Sequence, residues 1–126
     1  MNAVDMARNA YARPEAPVRS LRSIEYDLFA RVTQRLTSAW ARHTTDFPAL
    51  ASALDDNNRL WTTLAADVSE TDNGLPGPLR AQLFYLYEFA ADHSRRVLAG
   101  GASVDALVDI NTAVMRGLRG NAGGRP

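Results

Sequence analysis

The side chains able to carry acid–base or metal chemistry are few, and their spacing does not suit it. The two histidines, His43 and His93, fall in different helical segments. A metal held on a helix wants a second ligating side chain one turn away. Ahead of His93 those positions hold Arg96 and Val97, and behind it Glu88 is too distant in register. The chain has no cysteine, so disulfides and thiolate metal sites are excluded. No nucleophile elbow, phosphate-binding loop or dinucleotide glycine fingerprint occurs. Gly100-Gly101, with Ser103 opening a helix, can cradle an anion in principle, but it reads more simply as a turn between two helices. The expectation is a protein that is not an enzyme, with no catalytic residue, no metal and no cofactor.

Binding is the chemistry that remains. Phe29, Trp40, Trp61, Phe84 and Tyr87 recur at helical spacing, which packs aromatics inward first; any one left exposed becomes an anchor for a partner. Three polar residues, Asn57, His93 and Asn111, interrupt apolar faces. The plain reading is that each is buried and satisfied by its neighbours. His93 and Asn111 lie about equally far from Gly100-Gly101, so they are expected to face one another across a hairpin and fix its register. The sharper reading is that Asn57 or Asn111 hydrogen-bonds a partner's backbone. Asp92 with Arg95 and Arg96, and Asp109 with Arg116, read as solvated helix-surface pairs or as the rim of a binding surface.

Positioning these residues requires helices. Leu79, Leu83, Leu86, Ala90, His93 and Val97 recur at three- and four-residue steps, widened by Phe84, Tyr87, Phe89 and Leu98, which predicts a central helix touched on more than one side. Gly100-Gly101 closes it, and Ser103 caps a second arm whose apolar face is Val104, Leu107, Val108, Val114, Met115 and Leu118. Earlier in the chain, Leu21, Ile24, Leu28, Val32, Leu36 and Ala39 line a helix over about Leu21–Arg42, flanked by Phe29 and Trp40. Asp46-Phe47-Pro48 is a start signal for a third helix, about Pro48–Val68, with Leu50, Leu54, Leu60, Trp61, Leu64, Ala65 and Val68 in its stripe. Residues 13–20, with Pro14 and Pro17, read as a linker, preceded by a short, alanine-rich helix over Met1–Ala12 that is marginal unless it docks. Without strand alternation or repeats, the fold expected is all-α: a small helical bundle of four main helices plus a short N-terminal helix. The organisation is residues 1–20 as N-terminal helix and linker, 21–119 as bundle, and 120–126 as a glycine-rich flexible tail.

Composition agrees. A chain of 126 residues, 46% hydrophobic and 22% charged, suits one globular domain. No apolar run nears the roughly twenty residues that cross a bilayer, and the N-terminus lacks a signal-peptide core, so a cytoplasmic protein without membrane insertion is expected. Formal net charge is zero, and all fourteen basic residues are arginine. Residues 47–76 hold Asp55, Asp56, Asp67, Glu70 and Asp72 against Arg59 alone. That is not the footprint of a nucleic-acid binder.

Several stretches together carry a family resemblance: NNRLWTTLAADV at Asn57–Val68, NGLPGPLRAQLFYLYEF at Asn73–Phe89, HSRRVL at His93–Leu98 and LVDINTAVMRGLRG at Leu107–Gly120, with IEYDLFARVTQRL at Ile24–Leu36 upstream. The chain resembles the FlaF family of flagellar biosynthesis regulators over nearly its whole length. That resemblance implies a protein of flagellin production and export. It would associate with flagellin as a secretion chaperone does, and be functionally paired with FlbT, a post-transcriptional regulator of flagellin mRNA. An alternative it leaves open is direct regulation of that mRNA, with FlbT, through RNA or protein contact. Among the matching positions it adds Asn58 to the candidates for partner contact. The full set is then Phe29, Trp40, Asn58, Trp61, Phe84, Tyr87, Asn111 and Arg116. A groove for a flagellin segment is expected between the Leu21–Arg42 helix and the central helix, or where the N-terminal arm swings away.

Overall fold

The helix boundaries follow from a few short-range signals. Asp46 accepts a hydrogen bond from the backbone N–H of Ala49 at 3.2 Å, and Pro48 occupies the first turn, where its missing N–H costs nothing. At the other chain reversal Gly100 takes φ 86°. The N–H of Gly101 reaches the carbonyl of Arg96 at 2.9 Å and that of Gly100 reaches Val97 at 3.0 Å. This is the paired six-to-one and five-to-two closure that a left-handed glycine permits. Ser103 then offers its Oγ to the N–H of Asp105 at 3.1 Å and opens the next helix.

The structure is a computed structural model and describes residues 15–70 and 74–122, with side-chain surroundings for 26–70 and 74–118. They form four helices and, among the described residues, no strand: α1 (Glu15–Ala41), α2 (Phe47–Val68), α3 (Gly77–Leu98) and α4 (Asp105–Ala122). The all-α bundle expected from the sequence is what forms. No helix among the described residues is long and apolar enough to cross a membrane. The helices pack in a ring, α1 against α2, α2 against α3, α3 against α4, and α4 back against α1. The closest pairing is α1 with α4, and the loosest neighbours are the two arms of the α3–α4 hairpin.

The core is built by Phe29, Leu36 and Ala39 from α1, Leu50, Ala53, Leu54 and Trp61 from α2, Ala90 and Val97 from α3, and Val104 and Leu107 at the start of α4. Phe29 meets Trp61 edge to face with ring centroids 5.7 Å apart. Burying a side chain such as Leu54 or Leu107 stabilises the fold by roughly 1.5–3 kcal/mol each, so this cluster holds the ring together.

Three expectations are corrected. The linker over residues 13–20 is helical from Glu15 onward, because Pro17 falls in the first turn of α1, where proline is tolerated. The helix therefore starts six residues before Leu21. The stripe on α3 does not make it the central helix: its buried residues, Ala90, His93, Ser94 and Val97, all lie in its C-terminal half, whereas buried residues run the length of α2 from Leu50 to Val68. Residues 120–122, expected in the tail, are helical, since α4 continues through Gly120 to Ala122. The N-terminal helix over Met1–Ala12 and the last four residues lie outside the described residues.

Candidate functional site

The interior carries an unusual polar knot. Asn111 on α4 is fully buried and bonded to the two helices facing it. Its Oδ1 accepts the indole N–H of Trp61 at 2.8 Å. Its Nδ2 donates to Asn57 Oδ1 at 2.8 Å and to Thr33 Oγ1 at 3.0 Å. One amide thus ties α4 to both α1 and α2. The remaining donor of Asn57, Nδ2, is buried with no partner. Nearby, Ser94 Oγ contacts Asn58 Oδ1 at 3.1 Å and the carbonyl of Ala90 at 2.8 Å, joining α3 to α2.

His93 does not meet Asn111. Its Nε2 lies 2.8 Å from the carbonyl of Ser103, an acceptor, so Nε2 carries the proton and donates to the opening of α4. Its ring stacks on Phe89 at 5.4 Å. The hairpin is pinned, but by histidine to backbone at the turn; Asn111 spends its hydrogen bonds across the bundle instead. The broader expectation for Asn57, His93 and Asn111 holds as to burial and one internal bond each, but only Asn111 is fully satisfied: Asn57 Nδ2 and His93 Nδ1 are buried with no partner.

Of the partner-contact candidates, Phe29, Trp61 and Asn111 are closed off in the core at 1%, 0% and 0% exposure, so a partner meets none of them unless the bundle opens. That corrects their assignment: aromatics and an asparagine at core spacing found partners inside the chain. Asn58 is half-buried against Ser94, and Trp40 is half-buried with His43 stacked on it at 3.8 Å. Phe84, Tyr87 and Arg116 remain on the side a partner can reach; Phe84 and Arg116 are exposed, and Tyr87 is half-buried.

Phe84 and Tyr87 lie in the N-terminal half of α3, and Arg116 lies on α4, the neighbour with which α3 pairs most loosely. In that half of α3, Leu79 is 37% exposed, Phe84 39% and Tyr85 63%. Phe84 and Tyr87 rings lie 5.4 Å apart. Leu83, Leu86, Val114, Met115 and Leu118 are only partly covered. Large apolar side chains gathered on one exposed segment mark an interaction surface more than isolated ones do. From Leu79 to Tyr87 the segment spans about 12 Å of helix, with Phe84 and Tyr85 on opposite flanks of the Leu79–Leu83–Leu86 stripe. Sequence reasoning passed over Tyr85, although it stands in the aromatic run Phe84-Tyr85-Leu86-Tyr87. It also passed over Thr33, whose i+4 step from Phe29 places it on the core side of α1.

The groove expected between α1 and α3 does not form, because those helices stand at opposite corners of the ring rather than as neighbours. Among the described residues no group of three or more histidine, aspartate or glutamate side chains is placed to hold a metal.

Comparison with known proteins adds one match. The model of a family described as flagellar protein FlaF fits residues 7–118. Neither the curated proteins nor the solved structures contain a match.

Proposed function

Because the chain belongs to the FlaF family of flagellar proteins, we propose that it is a non-enzymatic binding protein that holds flagellin in the cytoplasm and promotes its synthesis and export. The observation that carries this reading is the set of uncovered apolar side chains, Leu79, Phe84 and Tyr85, on the N-terminal half of α3. Flagellin termini form helical coiled coil only in the filament, so before export they expose apolar stripes. A helix presenting such a stripe can lie along α3 and finish the packing that α3 and α4 leave incomplete. The alternative, direct contact with flagellin mRNA, has no concentrated basic surface behind it among the described residues. FlbT enters this proposal as a protein partner only.

The test is co-purification with flagellin. Phe84→Asp and Tyr85→Asp should each reduce flagellin recovery about tenfold, as for an anchor residue, with the unfolding transition unmoved. Undiminished recovery with both variants refutes this face as the site. A salt-dependent shift of the flagellin mRNA leader by the purified protein would favour the RNA reading instead.

A further inference from the structure

A second surface lies on the other side of the ring. Between α1 and α2 runs a trough of about 380 Å³. Its α1 wall is Leu28, Arg31, Val32 and Arg35, spaced i, i+3, i+4 and i+7; the α2 wall repeats that spacing from Asp56 to Thr63. Two walls with matched helical spacing give a straight trough two turns, about 10 Å, long. Its floor is aliphatic: Val32 is buried, and Leu28 and Leu60 are half-covered.

The charges on its rim are unequal. Three guanidinium groups, from Arg31, Arg35 and Arg59, stand against the single lining carboxylate of Asp56. Arg35 is paired with Asp56 across the two helices, and Arg59 is held by Asp55 behind it at 2.8 Å. Arg31 is exposed and has no ion-pair partner among the described residues, although Asp27 sits one turn before it on α1. An aliphatic floor between helices, with Arg31 as the one unpaired cation on its rim among the described residues, fits one class of occupant.

We propose that the α1–α2 trough is a docking site for an amphipathic helix of a partner protein, with its aliphatic stripe on Leu28, Val32 and Leu60 and an acidic flank against Arg31. This site is independent of the face on α3. A nucleic-acid strand is disfavoured by the apolar floor and by the carboxylates already occupying two of the three arginines.

The test uses the full chain and three fluorescent probes. One is a synthetic amphipathic helical peptide with leucines at i, i+3, i+4 and i+7 flanked by glutamates; the second is its lysine-for-glutamate twin; the third is single-stranded oligouridine. The acidic peptide should bind, the lysine twin should bind at least about tenfold more weakly, and oligouridine should neither bind nor displace the acidic peptide. Arg31→Glu and Thr63→Arg should each weaken the acidic peptide about tenfold, because both side chains are exposed and line the trough. Their unfolding curves should match wild type, and Tyr85→Asp should leave peptide binding intact. Equal binding of the two peptides, indifference to Arg31→Glu, or displacement by oligouridine overturns the proposal. So does a dimer seen by sedimentation that Arg31→Glu dissolves, since the occupant is then a second copy.

Discussion

At the scale of single residues, the interior amide of Asn111 decides more than any surface charge. It satisfies the Trp61 indole and engages Asn57 and Thr33 at once. Asn111→Ala leaves the Trp61 N–H and the Asn57 carbonyl buried without partners, each costing about 1–3 kcal/mol, and opens a small void. The expected loss is roughly 2–4 kcal/mol in urea unfolding. The exposed pair Arg59–Asp55 is the contrast: Asp55→Ala should shift stability by less than about 0.5 kcal/mol, as solvated i,i+4 pairs do. A loss for Asn111→Ala no larger than that for Asp55→Ala would show the polar knot to be incidental. The burial of Asn57, His93 and Asn111 was legible, because a polar residue inside a helical apolar stripe has few other places to go. Their partners were not. Which of two facing helices receives an amide depends on the rotation of each helix about its axis, and α1 turns Phe29 and Thr33 rather than Leu28 toward the core.

Elements start and stop on short-range chemistry, so the ends marked by a side-chain cap or a left-handed glycine were readable. The Asp46 cap and the Gly100 reversal are both where turn chemistry puts them. Asp46→Ala should cost about 1 kcal/mol by orphaning the first-turn N–H of Ala49. Gly100→Ala should cost about 1 kcal/mol although nothing crowds its Cβ, because φ 86° is itself unfavourable for an L side chain. Thermal or urea unfolding measures both, and a neutral Gly100→Ala would mean the turn relaxes to another closure. Signals of this kind mislead where two positions share them. Pro17 reads as a breaker or as a first-turn residue, and the choice depends on where the preceding backbone becomes helical. The width of the α3 stripe misled for a different reason. A sequence shows that a helix has apolar sides, but not whether the chain owns enough other helices to cover them.

That shortage is a property of the whole molecule. Four helices in a ring cover α2 along its length, cover only the C-terminal half of α3, and leave the loosest pairing between α3 and α4. Under the proposed role, covering the remainder with a client helix would couple the client's folding to binding, because isolated short helices are marginal in water. The ordering cost, about 2–5 kcal/mol for such coupled events, would then keep affinity moderate and let the client leave for export. A terminal flagellin peptide mixed with the protein should therefore show more helical far-ultraviolet circular dichroism than the sum of the two alone. Its binding should carry a negative heat-capacity change by titration calorimetry, the mark of apolar burial. Both signals should vanish with Tyr85→Asp. They should persist with Arg31→Glu, which lies on the far side of the ring in the α1–α2 trough. Trp61→Ala makes the complementary case: removing a core aromatic costs about 3–5 kcal/mol and should lower binding only through loss of folded protein. If the mixture's spectrum equals the sum while the peptide is demonstrably bound, the client binds as extended chain. The helix-completing role of α3 is then wrong, whatever flagellin does in a pull-down.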